Sequence, residues 1–345
     1  MWIPILLLAV GFVLLIKGGD WFVDGASGIA RRLHLPEILI GATVVSIGTT
    51  LPEVMVSAGA AMQGSGSIAY GNALGSIICN TSLIAAITIA IKPAKAARKS
   101  LVLPVCFFFA SAVIYCLGAY VFGTFSRTMG IILLTVFVIY MVSTVIRMKK
   151  SSDMGLTVPQ DDAAQTEQQL ETISGEDYTI ESEKAGTKDS LLKDIILLIL
   201  GAVLIAFGAD FLVDNAIIIA EKFGVSEKVI GLTIVALGTS LPELVTAITS
   251  LVKGHGSLSL GNIIGANLFN LVLVSGAAIT INPFDLPVSS MINGINSSLI
   301  LDIPIALVVM LILTVPTLCK EKLSRWQGVL MLGIYAAFCA LQFMM

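Results

Sequence analysis

Long apolar runs separated by short polar connections dominate the chain. Runs of about 20 mostly apolar residues are long enough to cross a bilayer as a helix, and ten of them occur here, separated by Gly, Pro and charged residues. The predicted spans are 3–25, 37–62, 67–91, 101–122, 128–148, 191–219, 227–252, 257–280, 295–318 and 326–344. This pattern predicts an all-α polytopic membrane protein.

A polar segment interrupts the apolar pattern at residues 150–190. It is rich in Asp, Glu, Gln, Ser and Thr and has almost no aromatic or long apolar run, so it cannot build a core of its own. A calcium-sensing loop is the functional alternative for this segment, but the Asp-x-Asp-x-Asp-Gly spacing of an EF-hand is missing. A solvated acidic linker is therefore predicted between two halves, 1–149 and 191–345.

The two halves carry the same sequence signature at a constant offset of 190 residues. Gly-Ala-Thr-Val-Val-Ser-Ile-Gly-Thr-Thr-Leu-Pro-Glu at 41–53 recurs at 231–243 with eight of thirteen positions identical, and the Gly-Asn-x-x-Gly segment at 71–80 recurs at 261–270. Because each half has five predicted helices, an odd number, the second half must enter the membrane in the opposite direction. The sequence thus predicts two inverted-topology five-helix repeats, a design that places substrate sites near the bilayer midplane.

Basic residues in the connections predict the orientation. With the N-terminus outside, sixteen Lys and Arg residues lie in cytoplasmic connections and three in outer connections, which agrees with the positive-inside rule. We expect a multi-pass protein of the plasma (cell) membrane, with both termini extracellular or periplasmic and the linker cytoplasmic.

Composition narrows the class of protein. Only 12% of the 345 residues are charged, against about 25% in soluble domains. Ten of the 23 acids but only two of the 20 basic residues lie between residues 151 and 189, so 18 basic and 13 acidic residues remain in the membrane body. Nucleic-acid binding, secretion and a soluble active site are poor interpretations of such a chain, and we expect no enzyme activity, no cofactor and no obligate protein partner.

Two acidic side chains fall well inside predicted spans. Glu53 and Glu243 occupy equivalent repeat positions, and no Lys or Arg lies in their own or the adjacent motif helix to pair with them. A buried carboxylate costs a few kcal/mol and marks an ion pathway by default. A protonated, hydrogen-bonded Glu in the helix bundle is the purely structural alternative. Because the buried Glu occurs in both repeats, a mobile cation that balances the two negative charges is favoured.

Oxygen-bearing residues surround each carboxylate. Ca²⁺ takes six to eight oxygen ligands, and helical spacing places the hydroxyls on the same face as the carboxylate. The candidates are Ser46, Thr49 and Thr50 before Glu53, Thr239 and Ser240 before Glu243, and Ser76, Asn80 and Asn270 on the partner helices. Ala236 takes the place of Ser46 before Glu243 and has no hydroxyl.

Pro52 and Pro242 lack a backbone N–H and are expected to free the carbonyls of Gly48 and Gly238 for ion binding. An ordinary helix kink is the alternative for either proline. We expect interhelical hydrogen bonds, rather than ion ligation, from the remaining motif amides Asn72, Asn262 and Asn267. Asp20, Asp24, Asp210 and Asp214 also repeat by symmetry, with packing or gating about as well supported as ion relay.

The paired Gly-Thr-(Thr/Ser)-Leu-Pro-Glu and Gly-Asn-x-x-Gly-(Ser/Ala) motifs resemble the two α-repeats of the cation/calcium antiporter superfamily, specifically its sodium/calcium exchanger branch. The resemblance implies a ten-helix fold whose second, third, seventh and eighth helices enclose one calcium and several sodium sites. It implies that Glu53 and Glu243 bind both ions and that Thr49 and Thr239 give backbone oxygens to Ca²⁺. The sodium sites would be completed by Ser46, Thr50, Ser76, Asn80, Ala236 (through its carbonyl), Ser240 and Asn270.

Two departures from the family pattern matter. Ala266 stands where relatives often have Ser, so one sodium site is expected to lack a hydroxyl, and Asn270 stands where the potassium-dependent branch has Asp. We therefore expect a potassium-independent exchanger. The Gly-Asn-Ala-Ala-Glu-type motif of the proton/calcium branch is absent, which lowers proton coupling without excluding it.

These features favour an antiporter that exchanges several Na⁺ for one Ca²⁺ by alternating access. The exchange is expected to be electrogenic. A proton/calcium exchanger is the main alternative. An ion channel and an intramembrane aspartyl protease are weaker, because an inverted repeat is typical of carriers and the Tyr-Asp and Gly-x-Gly-Asp motifs of such proteases are missing.

Overall fold

The computed structural model describes residues 2–33, 35–93, 96–153, 188–223, 238–288, 291–292 and 294–344. Ten helices account for most of this part of the chain. They are α1 Trp2–Arg32, α2 Glu37–Met62, α3 Gly66–Ile91, α4 Arg98–Phe122, α5 Arg127–Asp153, α6 Lys188–Lys222, α7 Leu241–Val252, α8 Gly256–Ile281, α9 Ser298–Lys320 and α10 Arg325–Met344.

Eight of these helices, all except α7 and α10, are long and apolar enough to cross a membrane. The predicted class, a polytopic helical membrane protein, is confirmed. Apart from α7, the C-terminal ends of α1 and α5 differ most from the prediction, since both helices continue into the charged residues that follow their apolar runs. Most of the predicted linker, 154–187, and the first part of the predicted seventh span lie outside the described residues. The division into repeats at 1–149 and 191–345 stays a prediction.

Widened π-helical turns interrupt three of the helices that carry the repeated motifs. They span Gly41–Val45 in α2, Asn80–Ala85 in α3 and Asn270–Val274 in α8. The turns in α3 and α8 begin at residues 190 apart, so they obey the repeat. A π turn inserts one residue into the helix, changes the direction of the side chains and is common at functional sites.

Four short strands connect helices. β1 (Thr124–Phe125) follows α4 and pairs antiparallel with β2 (Phe284–Asp285), which follows α8, so this pair joins the two halves of the chain. β3 (Met291–Ile292) and β4 (Ile295–Asn296) form a hairpin before α9. Gly294 adopts a φ of 81° in its turn, a conformation that glycine adopts without steric cost.

The buried centre of the molecule is formed by α2, α3, α7 and α8. These four helices contact one another, and α8 is buried over most of its length. The apolar core continues outward into α4, α5, α9 and α10, with Phe108, Tyr140, Phe269 and Met310 among its buried side chains.

The first and sixth helices form a separate antiparallel pair beside this centre. A Cβ at Gly18 would lie 2.8 Å from the Ile205 nitrogen, and one at Gly11 would lie 2.9 Å from the Gly208 carbonyl oxygen. Such distances leave no room for a side chain, so α1 and α6 touch backbone to backbone. Small residues permit this approach between membrane helices.

Candidate cation-binding site

Both predicted carboxylates lie in the buried centre. Glu53 is in the middle of α2 and Glu243 is in the first turn of α7, and each has no exposed surface. None of their four carboxylate oxygens has a hydrogen-bond partner among the described residues. The helices that carry them, α2 and α7, contact each other. Two unpaired buried charges of the same sign are costly unless a cation joins them.

The basic side chains in the described part of the chain form their ion pairs elsewhere. The ion pairs there are Arg32 with Asp194, Lys253 with Asp20 and Asp24, and His255 with Glu37. None of these pairs includes Glu53 or Glu243. The proposal that a mobile cation supplies the missing charge is therefore consistent with the described ion pairs.

Four further predicted residues are buried with unpartnered polar atoms. They are Thr50 on α2, Asn80 on α3, Ser240 immediately before α7 and Asn270 on α8. Together with the two carboxylates they offer eight side-chain oxygens that have no hydrogen-bond partner among the described residues. Buried polar groups in proteins are nearly always hydrogen-bonded, so a concentration of exceptions on four packed helices indicates a site built for ions. Neutral oxygens with carboxylates are the donor set that suits Ca²⁺ and Na⁺.

The other predicted residues have different surroundings. The Ser46 hydroxyl donates to the carbonyl oxygens of Gly41 (2.7 Å) and Asn262 (3.0 Å), and the Thr49 hydroxyl donates to Asn262 Oδ1 (3.2 Å). Ser76 is buried on α3, one turn before Asn80. Thr239 is half-buried just before α7, and Ala236 lies outside the described residues.

The two repeated prolines occupy different local structures. Pro52 lies inside α2, as predicted, whereas Pro242 lies in the first turn of α7. The described part of α7 begins at Leu241 and residues 224–237 lie outside the described residues, so the prediction that Pro242 interrupts a longer helix and frees the Gly238 carbonyl stays a prediction. A proline in the first turn is well tolerated, since its missing N–H would have had no partner there.

The three remaining motif amides make hydrogen bonds that connect helices. Asn72 Nδ2 donates to the Glu53 carbonyl (3.1 Å) and to Ser57 Oγ (2.8 Å), Asn262 accepts from α2, and Asn267 donates to Thr81 Oγ1 (2.7 Å). Their interpretation as interhelical hydrogen bonds is confirmed.

Some structural partners of the site were not predicted from the sequence. Ser57 accepts from Asn72, and the Tyr140 hydroxyl on α5 donates to the Ala42 carbonyl in the π turn of α2 (2.8 Å). No spacing rule links α5 to that turn, so only the structure identifies this contact. By contrast, Ser57 lies one helical turn after Glu53, just as Thr49 lies one turn before it. The same four-residue spacing could have identified Ser57.

A polytopic helical membrane protein with an enclosed pair of carboxylates is the class that the fold and the site define. The sequence matches the sodium/calcium exchanger protein family over residues 3–146 and 193–344. The chain therefore belongs to the sodium/calcium exchanger family.

Individual relatives agree with this assignment. The sodium/calcium exchanger MaX1 of Methanosarcina acetivorans is 31% identical, with 98% of each chain covered. The putative antiporter CaxA of Alkalimonas amylolytica is 34% identical over 82% of each chain. Among solved structures, the sodium-calcium exchanger NCX_Mj soaked with Na⁺ and Sr²⁺ has 30% identity and a TM-score of 0.75, with 98% of each chain covered.

Proposed function

We propose that this protein is a sodium/calcium antiporter that exchanges several Na⁺ for one Ca²⁺. The observation that carries the proposal is the buried pair Glu53 and Glu243, whose four oxygens have no described hydrogen-bond partner. Family membership supports the same function.

The transported ions are proposed to share the carboxylates. Glu53 and Glu243 would bind both ions, Thr49 and Thr239 would give backbone oxygens to Ca²⁺, and the sodium ligands would come from the rest of the predicted set. Those are Ser46, Thr50, Ser76, Asn80, Ala236, Ser240 and Asn270. Two carboxylates in a low-dielectric site cannot hold full sets of both ions, so occupancy by Na⁺ and by Ca²⁺ excludes each other.

Alternating access would follow from movement of the α1–α6 pair. Na⁺ entering from outside neutralises the carboxylates, the pair slides past the four central helices, and the site then faces the cytoplasm. The Na⁺ ions leave to the cytoplasm, Ca²⁺ binds the same carboxylates in their place, and the reverse movement carries it out. Backbone-to-backbone contact between α1 and α6 supports their moving as one unit.

The proposal also includes independence from K⁺, net charge movement, the membrane orientation and the absence of a cofactor. Asn270 adds no third carboxylate, which supports exchange without K⁺. Exchange of three Na⁺ for one Ca²⁺ would move one net charge per cycle. Both termini would lie outside the plasma membrane, and the ions act as substrates without any cofactor.

Calcium uptake by purified protein in liposomes tests the proposal. Vesicles loaded with Na⁺ and diluted into Na⁺-free buffer should accumulate Ca²⁺, and vesicles with only a pH gradient or only a K⁺ gradient should not. Uptake driven by the pH gradient and indifferent to Na⁺ would instead establish the proton/calcium exchanger. Protein-free vesicles provide the background.

A further inference from the structure

A three-way ionic contact joins α1 to the end of α7. Lys253, the residue directly after α7, has its Nζ 2.7 Å from Asp24 Oδ1 and 3.3 Å from Asp20 Oδ1, and it donates to the Asp20 carbonyl oxygen at 3.1 Å. One ammonium group thus uses its donors on three acceptors of a single helix. The Lys253 side chain is 25% exposed, so the contact is partly shielded from solvent.

Close packing accompanies the ionic contact. A Cβ at Gly19 on α1 would lie 2.7 Å from both Thr249 Oγ1 and Val245 Cγ1 on α7. The surfaces of α1 and α7 therefore touch along the turns that precede Lys253. At this end of the molecule α1 packs directly on α7.

The repeat offset of 190 residues gives the counterpart of this contact at the other end. Asp210 and Asp214 on α6 are equivalent to Asp20 and Asp24, but the residue equivalent to Lys253 is Gln63. The acidic side of the contact is therefore duplicated, whereas the basic side is present once.

Among the described residues, packing at that other end is also looser. Gly59 is equivalent to Thr249, and no described atom lies within 4 Å of the position its Cβ would occupy. Met55 is equivalent to Val245 and is 74% exposed. Among the described residues, the ion pairs include neither Asp210 nor Asp214.

We propose that Lys253, Asp20 and Asp24 form an ionic latch that makes the two ends of the exchanger inequivalent. The latch holds α1 on α7 and favours the conformation closed at the Lys253 end. That end is cytoplasmic in the predicted orientation, so the resting protein would present its site to the outside. The inference rests on the alternating access of the proposed function, because a latch has a role only if α1 moves relative to α7.

Hydrogen–deuterium exchange of the purified protein in lipid nanodiscs without Na⁺ or Ca²⁺ tests the latch. The two segments to compare are 244–256, beside the latch, and 54–66, its counterpart. For K253Q, which copies the Gln63 end, exchange at 244–256 should rise about two- to fivefold, the range expected for one partly exposed ion pair. Exchange at 54–66 should fall, because opening of one end closes the other.

Two further variants make the result specific. Q63K places a lysine at the position equivalent to Lys253, where Asp210 and Asp214 supply the acids, and should slow exchange at 54–66 and speed it at 244–256. R32Q breaks the Arg32–Asp194 pair, which joins α1 to α6 within the moving unit. It should leave both segments as in the wild type.

The decisive signal is the reciprocal change at the distant segment, since mere loss of a local contact would move 244–256 alone. Unchanged exchange at 54–66 in K253Q would overturn the latch, and so would an identical response in R32Q. These outcomes are separate from transport. A reciprocal shift without Na⁺-driven Ca²⁺ uptake would support the latch and contradict the sodium/calcium antiporter. Na⁺-driven Ca²⁺ uptake without the reciprocal shift would support the antiporter and contradict the latch.

Discussion

The carboxylates of Glu53 and Glu243 are fully buried, and neither belongs to a described ion pair or hydrogen bond. Replacing a hydrated charge by such an environment costs several kcal/mol. Selection for stability alone would remove the cost by substituting an apolar or hydrogen-bonded residue. In the proposed function a bound cation provides the compensation, because its charge would restore the electrostatic energy that burial removes.

Two asparagines on α3 allow ligation to be separated from packing. The side-chain amide of Asn80 has no hydrogen-bond partner in the described part of the chain, whereas the side-chain amide of Asn72 donates to the Glu53 carbonyl and to Ser57. We expect Asn80→Ala to raise the Na⁺ concentration for half-maximal uptake several-fold, with little loss of stability because no protein hydrogen bond is broken.

Asn72→Ala is the matched variant for this comparison. It should lower the free energy of unfolding by about 1–3 kcal/mol, since it leaves a buried carbonyl and a hydroxyl without their donor. Thermal unfolding and Na⁺-dependent uptake would be measured for both variants. If Asn80→Ala loses stability and keeps its Na⁺ dependence, Asn80 has a structural role.

The candidate residues were predictable because the chemistry repeats. A single Glu or Asn in an apolar run carries little information, but the same residues at one offset of 190 exclude chance. The hydroxyl contacts of Ser46 and Thr49 with Asn262 were not predictable, because they depend on how α2 and α8 cross. Sequence periodicity describes one helix and contains no information on its neighbours.

At the scale of elements, α1 and α6 are held together by backbone contact at glycines rather than by large side chains. The contacts recur every seventh residue, at Gly11, Gly18 and Gly25 on α1. This spacing was visible in the sequence, but its partner helix was not, because α6 lies in the other half of the chain. The π turns were also unpredicted, since no residue type specifies them.

A leucine at Gly18 tests this contact. The Cβ alone would lie 2.8 Å from the Ile205 nitrogen, and the rest of the side chain would force the helices apart. We expect Gly18→Leu to lower the melting temperature of the purified protein and to slow uptake. Overpacking of this kind typically costs about 1–3 kcal/mol.

Gly333→Leu on α10 is the matched control, because no described atom lies within 4 Å of its Cβ position. It should melt at or above the wild-type temperature, since leucine favours the helix over glycine. Equal melting temperatures for the two variants would show that the α1–α6 contact is not tight.

The whole molecule combines a symmetric site with asymmetric ends. Glu53 and Glu243 are equivalent by the repeat, but they lie in the middle of one helix and at the start of another. The overall class and the central helices were predictable from apolar length and from the repeat. Most of the first half of the predicted seventh span, residues 227–237, lies outside the described residues, so its full length stays a prediction.

Membrane potential acts on the complete transport cycle. If three Na⁺ leave the vesicle for each Ca²⁺ that enters, one positive charge moves outward, and 100 mV contributes about 2.3 kcal/mol. With valinomycin and K⁺ setting the potential, uptake should be faster when the interior is positive and slower when it is negative. Uptake that ignores the potential would mean an electroneutral ratio of two Na⁺ to one Ca²⁺.

Calorimetric titration of the purified protein with Ca²⁺ tests most directly whether Glu53 and Glu243 form a binding site that Ca²⁺ and Na⁺ share. The wild type should bind Ca²⁺, with an apparent affinity that falls as Na⁺ is added. Glu53→Gln and Glu243→Gln should each remain folded and lose the binding heat. Glu37→Gln, an acid of α2 that pairs with His255 outside the site, should titrate like the wild type. Wild-type Ca²⁺ binding in either Glu53→Gln or Glu243→Gln would contradict the account.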